Sequence, residues 1–183
     1  MRKIVLTFGL AAGAVLAAMM LLTLPFQERI GFEKGLIVGY TSMVLALLMV
    51  FLGVRSYREN VGGGGVTFGR ALVVGLLIAA IASVCYVGAW EVISHQFMPD
   101  FADKYAARAI EKAKASGATD AQVAEQIRQM SGLKEMYKNP LIRYSLTLIE
   151  PLPVGILFAL VAAGTLRRKG SQAGGSAPAM KGA

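Results

Sequence analysis

ALVVGLLIAAIASVCYVGAWEVI, residues 71–93, carries a single charged side chain, Glu91. About 20 helical residues at 1.5 Å each cross a hydrocarbon core ~30 Å thick, and this run is long enough. In lipid a lone segment satisfies its backbone only as a helix, so the run reads as a membrane-spanning helix. Three further runs have the same character: residues 4–24, 36–54 and 141–166. The expected fold is therefore all-α, an integral membrane four-helix bundle. Residues 1–169 form one membrane domain, with a helical insertion at 99–138 between the third and fourth spans. The tail 170–183, rich in Gly, Ala and Ser, lacks the apolar residues for a core and is expected to be disordered. The first run follows Arg2-Lys3 like a secretory leader, but it exceeds the ~7–15 apolar residues of such a leader and is read as a retained span.

The formal net charge of +8 is unevenly spread. Arg2, Lys3, Arg55, Arg58, Arg70, Arg167, Arg168, Lys169 and Lys181 fall on one side of the spans with Glu59 as their only acidic companion. Basic residues on the other side are nearly balanced by acidic ones. Basic flanks beside spans mark the cytoplasmic face, so both termini are expected in the cytoplasm of a bacterial inner membrane and the insertion outside it. This distribution fits lipid headgroups as the charged partner and excludes nucleic acid.

Small residues recur at four-residue spacing: Gly9, Gly13 and Ala17; Gly35 and Gly39; Ala71, Gly75, Ala79 and Ser83; Gly155, Ala159 and Ala163. In lipid, close backbone approach along such seams drives helix association, here within the chain or between copies in a homo-oligomer. Tyr40, Tyr86 and Trp90 are candidate interface or bundle aromatics. Gly62–Gly65 has no Gly-Lys-Ser/Thr after it and is no P-loop; a flexible turn leads into a helix capped by Thr67.

The insertion carries its own punctuation. Pro99-Asp100 offers a cap for a helix over 101–115, with Phe101, Tyr105, Ala109 and Ala113 on one face. Gly117 ends it, and Thr119 with Gln122 makes a capping box for a second helix with Val123, Ile127 and Met130 aligned. Ser131-Gly132 is expected to break that helix, and Asn139-Pro140 to start the fourth span.

Glu150-Pro151-Leu152-Pro153 is the anomaly inside a span. Each proline removes a backbone donor and disfavours helical geometry before it. Two readings follow. The stretch kinks a helix and Glu150 reaches the interface, or it unwinds a turn and sets carbonyls beside a carboxylate, as transporters do at ion sites. At ~1.5 Å per residue Glu150 lies about 25 Å from Arg167, close to the outer headgroups. Glu91 falls in the same layer, with His95 one turn on and Arg143 two turns from Glu150. Glu150, Glu91, His95 and Arg143 thus form the candidate functional cluster. One histidine and one cysteine, Cys85, which lies inside a span, supply neither zinc spacing nor a nucleophile–base pair. No catalytic residue, metal or cofactor is expected, and no enzyme activity.

Three stretches carry a resemblance: Gly53-Val54-Arg55-Ser56-Tyr57-Arg58 leading to Thr67-Phe68-Gly69-Arg70; Met98-Pro99-Asp100-Phe101; and Asn139-Pro140 through Pro153-Val154-Gly155. Together they resemble a family of small bacterial four-span membrane proteins known only as a domain of unknown function. The resemblance spans Gly9 to Lys169 and implies four spans with an outer helical insertion; it brings no activity, cofactor or site residue. The function expected is that of an accessory, structural or partner-binding membrane bundle. The alternative is a small transporter, channel or ion-coupled subunit that uses the Glu150–Pro153 break.

Overall fold

The computed structural model describes residues 1–23 and 32–167, with side chains from residue 37 onward in the second segment. The first connection with Glu28 and Arg29, the basic pair Arg168-Lys169 and the tail 170–183 fall outside those residues, and Gly35 of the second small-residue pair precedes the point where side chains are described. Among the described residues seven helices follow one another: α1 (Arg2–Thr23), α2 (Phe32–Asn60), α3 (Phe68–Gln96), α4 (Phe101–Ala115), α5 (Asp120–Tyr137), α6 (Pro140–Ile149) and α7 (Pro151–Leu166). Four stretches are long and apolar enough to cross a membrane: Arg2–Thr23, Ile37–Asn60, Phe68–Gln96 and Pro140–Leu166. The chain is an all-α helical bundle of the multi-pass membrane type.

Its exterior supports that reading. Leu10, Ile37, Leu45, Val84, Leu157 and Leu160 all point outward, as side chains do when the solvent is hydrocarbon. The interior is built from small residues. Ala12, Ala46, Ala71, Ala79, Ala82, Ala159, Ala162 and Ala163 are buried around Leu47, Val50, Val54, Val74 and Ile78. α2 and α3 each touch both α1 and α7, so they form the centre of the bundle.

The small-residue seams do the packing. A Cβ built on Gly75 would stand 2.8 Å from the Ala159 Cβ, and one on Gly155 would stand 2.8 Å from the Ala79 Cβ. These reciprocal contacts align α3 and α7 as an antiparallel pair with backbones nearly touching. Gly9 meets Ile81 and Gly13 meets Cys85 in the same manner, which joins α1 to α3. Gly39 departs from the pattern: a Cβ there would meet nothing within 4 Å, so its place in a seam is not realised.

Helix ends follow the local chemistry with two exceptions. Thr67 accepts from the Arg70 amide at 3.4 Å, Asn139 accepts from Leu141 at 3.0 Å, and Thr119 with Gln122 completes both bonds of a capping box. Gly117, at φ +80°, ends α4 in the left-handed region that glycine favours. Asp100 heads α4 without a side-chain cap bond. The break expected at Ser131-Gly132 does not occur, and α5 continues to Tyr137. A helical glycine costs only ~1 kcal/mol relative to alanine, and the ring contact of Tyr137 with Phe101 and its hydrogen bond from Trp90 offset it.

The Gly62–Gly65 loop is a hydrogen-bonded turn. Gly62 and Gly65 are hydrogen-bonded, through N–H donors to the Tyr57 and Gly62 carbonyls at 3.0 and 3.1 Å, and Gly64 donates to Arg58 at 3.0 Å. Gly63 and Gly64 adopt φ of +59° and +84°, while a Cβ on Gly62 would collide with the Gly65 carbonyl.

Candidate functional site

The antiparallel register of α3 and α7 sets the site. Stepping four residues along each helix in opposite directions from Gly75/Ala159 and Ala79/Gly155 gives Ser83/Pro151, Val87/Thr147 and Glu91/Arg143. The last of these is a two-point ion pair. Arg143 Nε donates to Glu91 Oε2 at 2.9 Å while Nη2 donates to Oε1. The Arg143 side chain is 11 % exposed and that of Glu91 27 %. A parallel fork of this kind is among the stronger charge-assisted contacts and fixes orientation as well as distance.

The register therefore runs unbroken across the two prolines. Glu150 has φ −71° and ψ −57°, ordinary right-handed helical values, and the helical pattern is interrupted at that residue alone. The unwound turn considered from the sequence is not formed: α6 and α7 are one span with a proline joint. The neighbouring α3 holds them in line, which overrides the preference of a residue before proline for extended geometry.

Aromatic side chains surround the ion pair. The Arg143 guanidinium lies 5.7 Å from the Tyr137 ring centre and 5.8 Å from that of Tyr144, and Nη1 donates to the Tyr137 carbonyl at 3.3 Å. Trp90 Nε1 donates to the Tyr137 hydroxyl at 2.7 Å. The Phe101 ring meets Trp90 edge-on at 4.7 Å and lies 6.4 Å from Tyr137. The first turn of α4 and the last turn of α5 are thereby pinned to α3 and α6. Asp103 of α4 pairs with Lys134 of α5 beside this joint, so the two helices run antiparallel. Burial pushes the Tyr137 phenol above its usual range, and the Asp103 carboxylate raises the Lys134 ammonium.

Of the four residues singled out in the sequence, three meet. His95 Nδ1 is 2.9 Å from the Glu91 carbonyl and 3.6 Å from Glu91 Oε1, beside Arg143. Glu150 stands apart, where its Oε2 accepts from the Tyr86 hydroxyl at 2.7 Å. Tyr86 also lines a cavity of about 50 Å³ with Leu16, Thr23, Ser42 and Met43. Among the described residues, no group of three or more His, Cys, Asp or Glu is placed to hold a metal ion. Sequence reasoning missed Tyr137 and Tyr144 as parts of the joint; a tyrosine two residues ahead of Asn139-Pro140 was the available signal.

At the opposite end of the bundle, Arg55 Nε donates to Glu59 Oε1 at 2.9 Å, with Arg58 in the last turn of the same helix and Arg70 in the first turn of α3. No curated protein and no solved structure matches the chain. Residues 7–168 match a family whose description reads "Protein of unknown function (DUF4199)". With four spans, the insertion and nearly the whole length within that match, the chain belongs to the DUF4199 family.

Proposed function

We propose that this protein is an accessory membrane protein without enzyme activity, one that holds the α4–α5 helix pair in a fixed pose over one end of its bundle for a protein partner. The observation that carries this reading is the joint itself. Glu91, Arg143, Trp90 and Tyr137 spend their hydrogen-bonding groups on one another, which suits an anchor better than a reactive centre. The anchored pair has no fully buried residue, and Ile127 and Met136 remain 44 % and 52 % exposed. Apolar positions left half-covered on a rigidly held helix pair suit helix-on-helix contact with a partner.

In this reading the basic end, with Arg2, Lys3, Arg55, Arg58, Arg70 and Arg167, faces the cytoplasm of a bacterial inner membrane, and α4–α5 lies outside. A phosphatase reporter fused after Gly117 should be active and one fused after Arg168 inactive; the reverse would overturn the orientation. Photo-crosslinking from position 127 in cells should trap one protein species, and Arg143→Ala should abolish that product while the bundle persists. A product unaffected by Arg143→Ala would count against the anchor.

Transport is the second reading, and the Tyr86–Glu150 bond within a span is what favours it. Intramembrane carboxylates are functional candidates, and here Glu150 would act without an unwound turn. Proton or ion flux in proteoliposomes that vanishes in Glu150→Gln would replace the first reading with this one.

A further inference from the structure

Ser83 is fully buried at 0 % exposure, and its Oγ has no hydrogen-bond partner. A buried hydroxyl without a partner loses its hydration with nothing in return, so such atoms in membrane helices find a neighbour or a water. Other hydroxyls of the spans already do so: Ser42 donates to Val38 at 2.7 Å, Thr147 to Arg143 at 2.9 Å and Thr165 to Val161 at 2.7 Å. The exception sits at one particular level of the bundle. Gly75/Ala159 and Ala79/Gly155 fix the α3–α7 register, and one turn further Ser83 stands opposite Pro151, which is also fully buried.

Pro151 has no N–H, so the carbonyl four residues earlier, at Thr147, loses its helical donor. Thr147 is 8 % exposed, and its carbonyl needs an internal partner. The carbonyl freed by Pro153 belongs to Ile149, which is 62 % exposed and lies on the outside of the bundle. An unpartnered hydroxyl on α3 and a carbonyl that has lost its helical donor on α6 therefore belong to adjacent turns of two touching helices. Proline is tolerated in spans where neighbouring hydroxyls and ordered waters satisfy the freed backbone group.

We propose that Ser83 and the Thr147 carbonyl share a single buried water, which donates to the carbonyl and accepts from the Ser83 hydroxyl. The ligand of this site is water, held between α3 and α6–α7, and it takes the place of the helical bond that Pro151 removes. The site is independent of the joint at Glu91–Arg143 and of any partner.

The test is a double-mutant cycle on the full chain in mixed micelles, with unfolding by sodium dodecyl sulfate followed by circular dichroism. Ser83→Ala removes one oxygen and leaves the packing unchanged. It should lower the folding equilibrium constant roughly threefold, the size of an average side-chain hydrogen bond between membrane helices. Pro151→Ala restores the N–H donor to Thr147, and in that background Ser83→Ala should have a much smaller effect. Water-edited solid-state NMR in lipid should show transfer from water protons to the Ser83 side chain in the wild type. Equal effects of Ser83→Ala in both backgrounds would overturn the proposal. So would coupling without water transfer, which means a direct hydroxyl–carbonyl bond, and so would a stability that changes when sodium replaces choline, which means a bound cation.

Discussion

Exchanging the partners at one glycine contact tests the architecture of the bundle directly. In Gly75→Ala the new Cβ lies 2.8 Å from the Ala159 Cβ and 3.0 Å from its Cα, against ordinary contact from 3.4 Å upward. Both neighbours are rigid, so α3 and α7 must part by at least about 0.6 Å, the difference between contact and the built distance. Overpacking of this kind costs about 1–3 kcal/mol, whereas the higher helix propensity of alanine returns at most ~1 kcal/mol. The clash wins, and net destabilisation of up to about 2 kcal/mol is expected. Ala159→Gly removes the obstructing methyl but not the 3.0 Å contact with the Cα, so Gly75→Ala with Ala159→Gly should recover part of the loss, with the volume moved from one helix to the other. Gly88→Ala is the control on the same helix, since a Cβ there meets nothing within 4 Å; it should hold or gain stability. Thermal unfolding in detergent can be followed with a thiol-reactive dye, because Cys85 is the chain's one cysteine and sits half-buried against Gly13. A Gly75→Ala variant as stable as wild type, or a double variant no better than the single one, would refute the packing.

Other outcomes can be checked with less. Arg143→Ala should destabilise the α4–α5 joint by about 1.5–3 kcal/mol, the range for hydrogen bonds to charged groups, and Arg143→Lys should recover little because an ammonium cannot reproduce the fork; hydrogen exchange across α4 and α5 reads both. Thr119→Ala should cost about 1 kcal/mol of local stability in α5 by removing its capping box, seen as faster exchange in its first turn. The joint should loosen in alkali: both the Tyr137 phenol and the Lys134 ammonium are raised in the folded chain, so their stabilisation is complete below the ordinary values of 10.0 and 10.5 and is lost as pH rises through the folded ones. Trp90 fluorescence against pH follows that loss, and no change between pH 9 and 12 would contradict it. Glu150→Gln should leave the fold intact, because a neutral amide still accepts from the Tyr86 hydroxyl.

Membrane helices announce themselves through length and apolarity, which is why the four spans could be read from the chain; helix starts were read from Thr67, Thr119 and Asn139. The seams at Gly75 and Gly155 were legible for the same reason, as spacing along one helix. What spacing cannot give is which helix lies opposite. Glu150 was grouped with Arg143 because both were measured along their own axis, yet its partner is Tyr86, one helix across. The pairing of Glu91 with Arg143 becomes readable only once Gly75 is known to face Ala159. Gly39 and Ser131-Gly132 show the converse error, where a residue type suited to a seam or a break is overruled by its neighbours: none near Gly39, and a cluster of rings drawing α5 on to Tyr137.

The α3–α7 seam has a mechanical consequence. Glycine and alanine possess no side-chain torsions, so their contact surrenders no rotamer freedom on assembly and has none with which to adapt afterwards. Most protein interfaces absorb a small slide by flipping side chains; this one would drive Cβ atoms into backbone. The nearest alternative fit lies a full helical turn away, about 5.4 Å along the axis. A slide of that size would tear Arg143 from Glu91. The seam is therefore a spline with one seated position, and α3 with α6–α7 moves as a single strut.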